Sequence, residues 1–215
     1  MMSARRVLVA VVALVVAPVL AEPAVAGPAS DQLKVQMDRV IRVLTDPDMK
    51  SEARVTERRA AIRKIANDIF DFRETTQRCL GRHWQTRTPA ERDEIVAVFA
   101  DLLERSYIGK IELYSGEKIL FLGDSGGDEV ATVRTRLVTK QGAEIPVDYR
   151  MHRKADRWLA YDVAIEGVSL VANYRAQFNK IIQTSSFAEL VRKLKAKNEE
   201  SAEADPTIRR ASQTR

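Results

Sequence analysis

WLAYDVAIEGVSLVANYRAQF, residues 158–178, changes its hydrophobic period from that of a strand to that of a helix at Gly167. Before this glycine, apolar side chains occupy both faces, as is typical of a central strand buried on two sides. After it, apolar residues recur every three or four positions, which predicts an amphipathic helix. The segment therefore predicts a buried strand over 158–166 that turns directly into a helix. The apolar stripe of this helix consists of Val171, Tyr174, Phe178 and Ile181.

Three further strands are predicted before this segment, over residues 119–122, 130–139 and 145–153. Turn residues separate them at 123–127, at Gln141-Gly142 and at 154–156, so that successive strands form an antiparallel sheet. In the third strand, apolar and polar residues alternate, which predicts that one face is exposed to solvent. The inward face consists of Ile145, Val147, Tyr149 and Met151, and the outward face of Pro146, Asp148, Arg150 and His152.

Helical spacing dominates on both sides of the predicted sheet. In residues 31–114, apolar side chains recur every three or four positions. Within this region, Thr88-Pro89-Ala90-Glu91 predicts the capped start of a long helix. A last helix is predicted to open at Ser186 with a second capping box that ends at Glu189. The fold class is therefore α+β, with N-terminal helices, a curved antiparallel sheet of about four strands, and C-terminal helices. The apolar stripe of the long helix consists of Ile95, Phe99, Leu102, Leu103, Tyr107, Ile111 and Tyr114, and that of an earlier helix of Ile62, Ile65, Ile69 and Phe70.

The two ends of the chain read as segments outside the folded domain. Residues 1–26 combine two arginines, an apolar run and small residues, which predicts a signal peptide that is cleaved after Ala26 or, as an alternative, after Ala21. The apolar run is shorter than the roughly 20 residues that span a bilayer. Residues 27–197 then form one domain, and residues 198–215 are a polar tail that is predicted to be disordered. We therefore expect an exported protein.

Composition argues against several kinds of partner and site. A formal charge of +5 without aromatics among clustered basic residues does not favour nucleic-acid binding. The single cysteine, Cys79, cannot form an internal disulfide and is expected to be buried. His83 and His152 lack ligand-spaced partners, and no glycine loop precedes a helix to hold a phosphate, so we expect neither a metal nor a cofactor.

Gly123-Asp124-Ser125-Gly126-Gly127 matches the nucleophile pattern of serine hydrolases. A nucleophile elbow requires a helix after the serine, whereas a strand is predicted from Val130. The motif is also what a hairpin loop uses. We therefore expect a turn here, and catalysis at Ser125 is not favoured.

The segment that changes period also carries the motifs of a known family. The order W-x-x-Y-D-V, E-G-V-S and N-Y-R-x-Q-F is met by Trp158, Tyr161, Asp162, Val163, Glu166, Gly167, Val168, Ser169, Asn173, Tyr174, Arg175, Gln177 and Phe178. In these motifs the chain resembles the MlaC, or toluene-tolerance, family of periplasmic phospholipid carriers. Shorter matches extend the resemblance over residues 31–197: Leu80-Gly81-x-x-Trp84, Thr88-Pro89, Phe99-x-x-Leu102-Leu103, Tyr107 and Tyr114.

The resemblance implies a monomeric domain whose sheet and helices part to form an apolar cavity for acyl chains. The sequence places bulky apolar side chains on each element that would face such a space, although core and cavity wall look alike in a sequence. The expected lipid-binding residues are Phe70, Trp84, Phe99, Leu103, Tyr107, Val147, Tyr149, Met151, Trp158, Tyr161, Val163, Val168, Val171, Tyr174 and Phe178. No catalytic residue is expected. The resemblance also implies its partners, which are an inner-membrane ABC transporter with an MCE-domain subunit and an outer-membrane lipoprotein complex.

Three alternatives stay open at this point. The first is a carrier of another lipid, such as a hopanoid. The second is a cone-shaped α+β enzyme that uses Asp162 or Glu166 in a pocket as a general base. The third is an interaction module whose interior is fully packed.

Overall fold

The structure is a computed structural model, and it describes residues 27–203. The predicted signal peptide, residues 1–26, and the last part of the predicted tail, residues 204–215, lie outside the described residues. Within residues 27–203, four α-helices precede the sheet and two follow it, which confirms the α+β class. The helices are α1 (Pro28–Thr45), α2 (Val55–Ile69), α3 (Phe72–Leu80), α4 (Pro89–Ile111), α5 (Leu170–Thr184) and α6 (Phe187–Glu203), and the strands are β1 (Lys118–Gly126), β2 (Val130–Val138), β3 (Glu144–Lys154), β4 (Arg157–Ile165) and β5 (Val168–Ser169).

The five strands pair antiparallel in the order of the sequence, β1 to β5. The short strand β5 was not predicted, because two residues are too few to show a period. It arises from a two-residue turn at Glu166 and Gly167, which both have positive φ, of 50° and 80°. Such a turn pairs Ile165 with Val168.

The long helix α4 begins as predicted. The Thr88 hydroxyl accepts a hydrogen bond from the Glu91 N–H at 3.2 Å, and the Glu91 carboxylate accepts one from the Thr88 N–H at 2.8 Å. The apolar stripe that was predicted for α4 extends beyond the buried part of the helix, because Ile111 is exposed and Tyr114 lies beyond the end of the helix. Ile108, on the adjacent row, is buried instead.

The last helix differs from the prediction at both ends. Ser186 caps it by accepting from the Glu189 N–H at 3.1 Å, but the Glu189 carboxylate pairs with Arg192 instead of closing the box. At the other end, α6 runs through Glu203, six residues past the predicted end of the domain at residue 197. The side chain of Asn198 donates to the Val98 carbonyl at 3.0 Å, which holds this part of α6 against α4.

The strand predicted over residues 158–166 is β4, which lies between β3 and β5 in the sheet. Because β5 pairs only with Ala164 and Ile165, the start of α3 covers another part of the same edge of β4. The Asp71 N–H donates to the Ala160 carbonyl at 2.9 Å, and the Thr75 hydroxyl donates to the Tyr161 carbonyl at 2.9 Å. Helices therefore bury both faces of β4 and part of its edge, which explains its apolar character.

A β-bulge at Tyr161 changes which side chains of β4 face inward. Met151 of β3 lies opposite Ala160, whereas Tyr149 lies opposite Val163, so β4 has one extra residue between these pairs. Leu159 pairs with His152 and is therefore on the other face from Val163, although simple alternation places both on one face.

The predicted turn at 123–127 is largely strand. β1 continues to Gly126, and a register shift between Phe121 and Gly123 marks a second bulge. Gly126 has a φ of 141°, and a Cβ there would lie 2.3 Å from the Val130 carbonyl oxygen, so glycine is required. The turn itself begins at Gly127, whose N–H donates to the Val130 carbonyl at 2.9 Å.

Candidate functional site

A buried carboxylate fixes α5 against β4. Asp162 is 2% exposed and accepts hydrogen bonds from the Val171 N–H at 2.9 Å, the Ser169 hydroxyl at 2.6 Å and the Arg150 guanidinium at 2.9 Å. The Ser169 hydroxyl in turn accepts from the Ala172 N–H at 3.0 Å, so it is the N-cap of α5. This arrangement points Val171 into the interior, where it is buried.

The inner side of α5 belongs to an apolar cluster made of helices, which we call the helical cluster. Phe99 lies at its centre, with ring centroids 4.8 Å from Tyr174 and 5.0 Å from Phe178 in edge-on geometry. Tyr107 and Tyr174 are partly buried at its border. The helical cluster contains these predicted lipid-binding residues: Trp84, Phe99, Leu103, Tyr107, Val171, Tyr174 and Phe178.

A second apolar cluster, which we call the sheet cluster, packs α1 and α2 on the inner face of the sheet. Its buried helical members are Ala29, Leu33, Ile65 and Ile69, and Val133 is its buried member from β2. The sheet cluster contains these predicted lipid-binding residues: Phe70, Tyr149, Met151 and Trp158. A smaller third cluster, Leu44, Ile62 and Ile108, joins α1 and α2 to α4.

Four predicted lipid-binding residues belong to none of these three clusters of the described chain: Val147, Tyr161, Val163 and Val168. Tyr161 stacks under the guanidinium of Arg78, 3.9 Å from its ring centroid, and so belongs to a polar environment. Val168 is 65% exposed and pairs with Ile165, which is 42% exposed. The structure therefore does not bring all fifteen predicted residues together.

An apolar strip of the sheet is only partly covered. Val147, Tyr149 and Val163 lie on the inner face, where Tyr149 is directly opposite Val163, and all three keep some solvent access. The helices that pack closely on the sheet do so against β1, β2 and β4. The strip on β3 and β4, which we call the open strip, continues to Ile165, a residue that the sequence analysis did not single out. The feature of the sequence that could have indicated Ile165 is its position next to the Glu166-Gly167 turn.

Tyr149 carries the one polar group of the open strip. Burial raises the pKa of its phenol well above the ordinary value, and its hydroxyl forms no hydrogen bond with the residues described, 27–203. An apolar surface with a single unsatisfied hydroxyl donor suits a ligand that is mainly hydrocarbon with a few oxygen acceptors.

The geometry does not favour the candidate catalytic groups. Both oxygens of Asp162 are engaged in holding α5, whereas a general base must reach its substrate. Glu166 is exposed in a turn. The Ser125 hydroxyl accepts from Arg134 at 3.0 Å, and His83 bonds to Asn179 instead of a serine. Within residues 27–203, no group of three or more His, Cys, Asp or Glu side chains is placed to hold a metal.

Asp124, in the glycine-rich motif at residues 123–127, has a structural role. Its carboxylate accepts from the Gly27 N–H at 2.7 Å and from the Ser30 N–H at 3.2 Å. These are free donors at the start of α1, so Asp124 caps that helix from a distant part of the chain. The bulge in β1 and Gly126 place Asp124 on the inner face, opposite Val133.

Comparison with known proteins identifies the family. The family model described as MlaC protein matches residues 34–196. The chain belongs to the MlaC family. Among its MlaC relatives is the intermembrane phospholipid transport system binding protein MlaC of Haemophilus influenzae, which is 20% identical over 138 residues. That match covers 60% of this chain and 64% of the relative, so it spans less than two thirds of the relative's length.

A solved structure agrees with the MlaC assignment. The phospholipid-binding protein of Ralstonia solanacearum, solved in complex with a phospholipid, superposes with a TM-score of 0.72 at 26% identity. The superposition covers 82% of this chain and 99% of the other. In the part of the MlaC-family chain that is described here, each helix is too short or too polar to cross a membrane.

Proposed function

We propose that this chain is a periplasmic carrier that encloses the acyl chains of a phospholipid and moves the lipid between complexes of the inner and outer membranes. The observation that carries this proposal is the open strip, an apolar, partly covered part of the sheet that lies beside two well-packed clusters. The relative from Ralstonia, of the same fold, was solved with a phospholipid bound. The signal-peptide pattern of residues 1–26 supports the periplasmic location.

The energetics explain why a carrier needs an enclosed site. Exposing an acyl chain to water costs about 0.8 kcal/mol per CH₂, so two chains of about fifteen methylenes each would cost on the order of 24 kcal/mol. A surface groove removes only part of this cost. A site between the helical cluster and the open strip would offer apolar contact on two sides, so that the interior and a bilayer would become similar solvents for the tails.

Different residues would bind different parts of the lipid. Val147, Val163 and Ile165 would contact the tails along the sheet, and Leu103 and Tyr107 would contact them from α4. The Tyr149 hydroxyl would donate to an ester carbonyl of the lipid, because that bond would satisfy a donor that the protein leaves unpaired. The headgroup would remain in water at the edge near the exposed pair Ile165 and Val168.

The function can be tested by lipid transfer between vesicles. Donor vesicles carry a self-quenched fluorescent phosphatidylethanolamine, acceptor vesicles carry none, and the purified mature protein is added. We expect the protein to increase the rate of dequenching in proportion to its concentration, and substitution of Val147 by glutamate to reduce this increase. A rate equal to that of vesicles alone would contradict the proposed carrier function.

A further inference from the structure

The outer side of α5 forms one wall of a groove of about 570 Å³, whose other wall is the end of α3 and the turn that follows it. Ala172 and Ala176, one helical turn apart, form a shallow apolar floor. Arg82 and Arg175 lie at the groove and are exposed. The groove is therefore concave, apolar at its base and cationic at its edge.

The two segments that build this groove contain no acidic residue. Residues 75–90 and 167–188 have no Asp or Glu, although the chain has 30 in 215 residues. The same segments carry five cationic side chains, of which Arg78 pairs with Glu74 and Arg87 with Glu91. The other three, Arg82, Arg175 and Lys180, have no ion pair within residues 27–203. Because α3 packs against α5, the two acid-free segments combine into one positive surface.

The cations at the groove have donors available. Arg82 makes no ion pair or hydrogen bond through its side chain with any residue in 27–203. Arg175 uses its Nε to donate to the Arg78 carbonyl at 2.7 Å, which orients the guanidinium above Gly81. An oriented guanidinium with free terminal N–H groups is suited to bidentate pairing with a carboxylate.

We propose that this groove docks an acidic segment of a partner protein, with its carboxylates on Arg82 and Arg175 and small apolar side chains on Ala172 and Ala176. A segment of this chain is a poor occupant, since residues 204–215 carry three arginines and a single aspartate. A membrane surface is disfavoured too, because adsorption to anionic lipid uses about four to eight basic residues beside large exposed apolar side chains, whereas this surface has three cations without an acidic partner and a pair of alanines. A concave site with an alanine floor fits side chains of a protein.

The groove is separated from the proposed lipid site by a single helix. Val171 and Phe178 lie on the inner side of α5 in the helical cluster, and Ala172 and Ala176 lie on its outer side. A partner in the groove would therefore sit next to the wall of the lipid site. The inference rests on the proposed carrier function only in that a carrier requires docking partners.

Photo-crosslinking in living cells tests the inference. Benzoylphenylalanine replaces Ala176 in the full-length chain or, as a control, Gln141 in the exposed turn between β2 and β3. After irradiation, crosslinked products are isolated and the attached peptide is identified by mass spectrometry. The same experiment is repeated with R82E alone, with R82E/R175E, and with R42E/K64E, which makes the same charge change at a second groove between α1 and α2.

We expect a protein product at Ala176 but not at Gln141, attached through a segment of net negative charge. R82E should reduce its yield about tenfold and R82E/R175E further, whereas R42E/K64E should leave it unchanged. Attachment to a lipid, attachment to a neutral or basic segment, or equal yield in all variants would overturn the inference. Native mass spectrometry separates the two proposals. If R82E loses the crosslink but still contains lipid, the result concerns the groove alone. If the unsubstituted protein contains no lipid, the result concerns the carrier function.

Discussion

The carboxylate of Asp162 accepts a hydrogen bond from the backbone N–H of Val171 at 2.9 Å, and this bond joins the last long strand to the first turn of α5. The other oxygen of Asp162 is bound by Ser169 and Arg150. A buried carboxylate with several donors is typical of a structural anchor. The helix that carries Val171, Tyr174 and Phe178 is therefore positioned by a residue that does not itself belong to an apolar cluster.

Substitution of Asp162 by asparagine should lower the free energy of unfolding by about 2 to 3 kcal/mol, because an amide cannot accept from all three donors and brings N–H groups of its own. Urea denaturation followed by circular dichroism measures the change. The control is D148N, which removes a carboxylate from the neighbouring strand opposite Ala164. Equal stability of D162N and D148N would show that Asp162 is not an anchor.

Substitution of Asp124 by alanine should cost about 1 kcal/mol of stability, since the Gly27 and Ser30 N–H groups lose their acceptor at the start of α1. D128A, in the turn between β1 and β2, serves as the control. In the same proteins, a fluorophosphonate probe should leave Ser125 unlabelled. A D124A protein as stable as D128A would contradict the capping role, and labelled Ser125 would restore the hydrolase hypothesis.

The single thiol should be unreactive in the folded protein. Burial raises the pKa of Cys79 to about 12 from an ordinary value of 9.0, and the nearby Asp162 carboxylate adds to the effect. Iodoacetamide should therefore modify Cys79 much more slowly in buffer than in urea, as measured by intact mass. Comparable rates in the two solvents would contradict a buried thiol.

The same shift has a consequence for stability at alkaline pH. Between about pH 9 and pH 12 the unfolded chain has lost the Cys79 proton, while the folded chain keeps it. The contribution of this group to stability is thus complete below pH 9 and is lost as the pH rises towards 12. We expect C79A to lose less stability than the unsubstituted protein in urea titrations over this range, and identical pH profiles would contradict this.

Substitution of Val147 by glutamate should lower the amount of bound phospholipid several-fold, because a carboxylate on the open strip would be desolvated by acyl chains. The control is V130E, at a valine that is 52% exposed at the start of β2. Lipid phosphorus per mole of purified protein measures occupancy, and circular dichroism checks the fold. Equal occupancy in V147E and V130E would remove Val147 from the site.

The fold class and most elements could be predicted from the sequence, because the change of hydrophobic period at Gly167 and the capping box at Thr88 are local signals. The bulge at Tyr161 could not be predicted, since it depends on how β4 pairs with β3. It places Leu159 and Val163 on opposite faces, which alternation alone does not show. The covering of one edge of β4 by α3 was also missed, because burial by helices and burial by strands produce the same apolar pattern.

The candidate site was predictable only in part. Phe99, Val171 and Phe178 lie together because helical spacing places them on inward faces. Tyr161 and Val168 were both predicted to bind lipid, yet Tyr161 stacks on Arg78 and Val168 is exposed. The roles of Asp124 and Asp162 could not be read from local patterns, because each binds backbone donors that become neighbours only in the folded chain.

Native mass spectrometry of the protein, purified from its own cells without detergent, tests the central claim most directly. We predict a species heavier than the polypeptide alone by the mass of a phospholipid, which releases intact diacyl phospholipid on denaturation. V147E should shift the distribution towards the lipid-free mass, and V130E should not. Lipid-free protein as the sole species, or a hopanoid as the dominant ligand, would contradict the claim that this chain carries phospholipid.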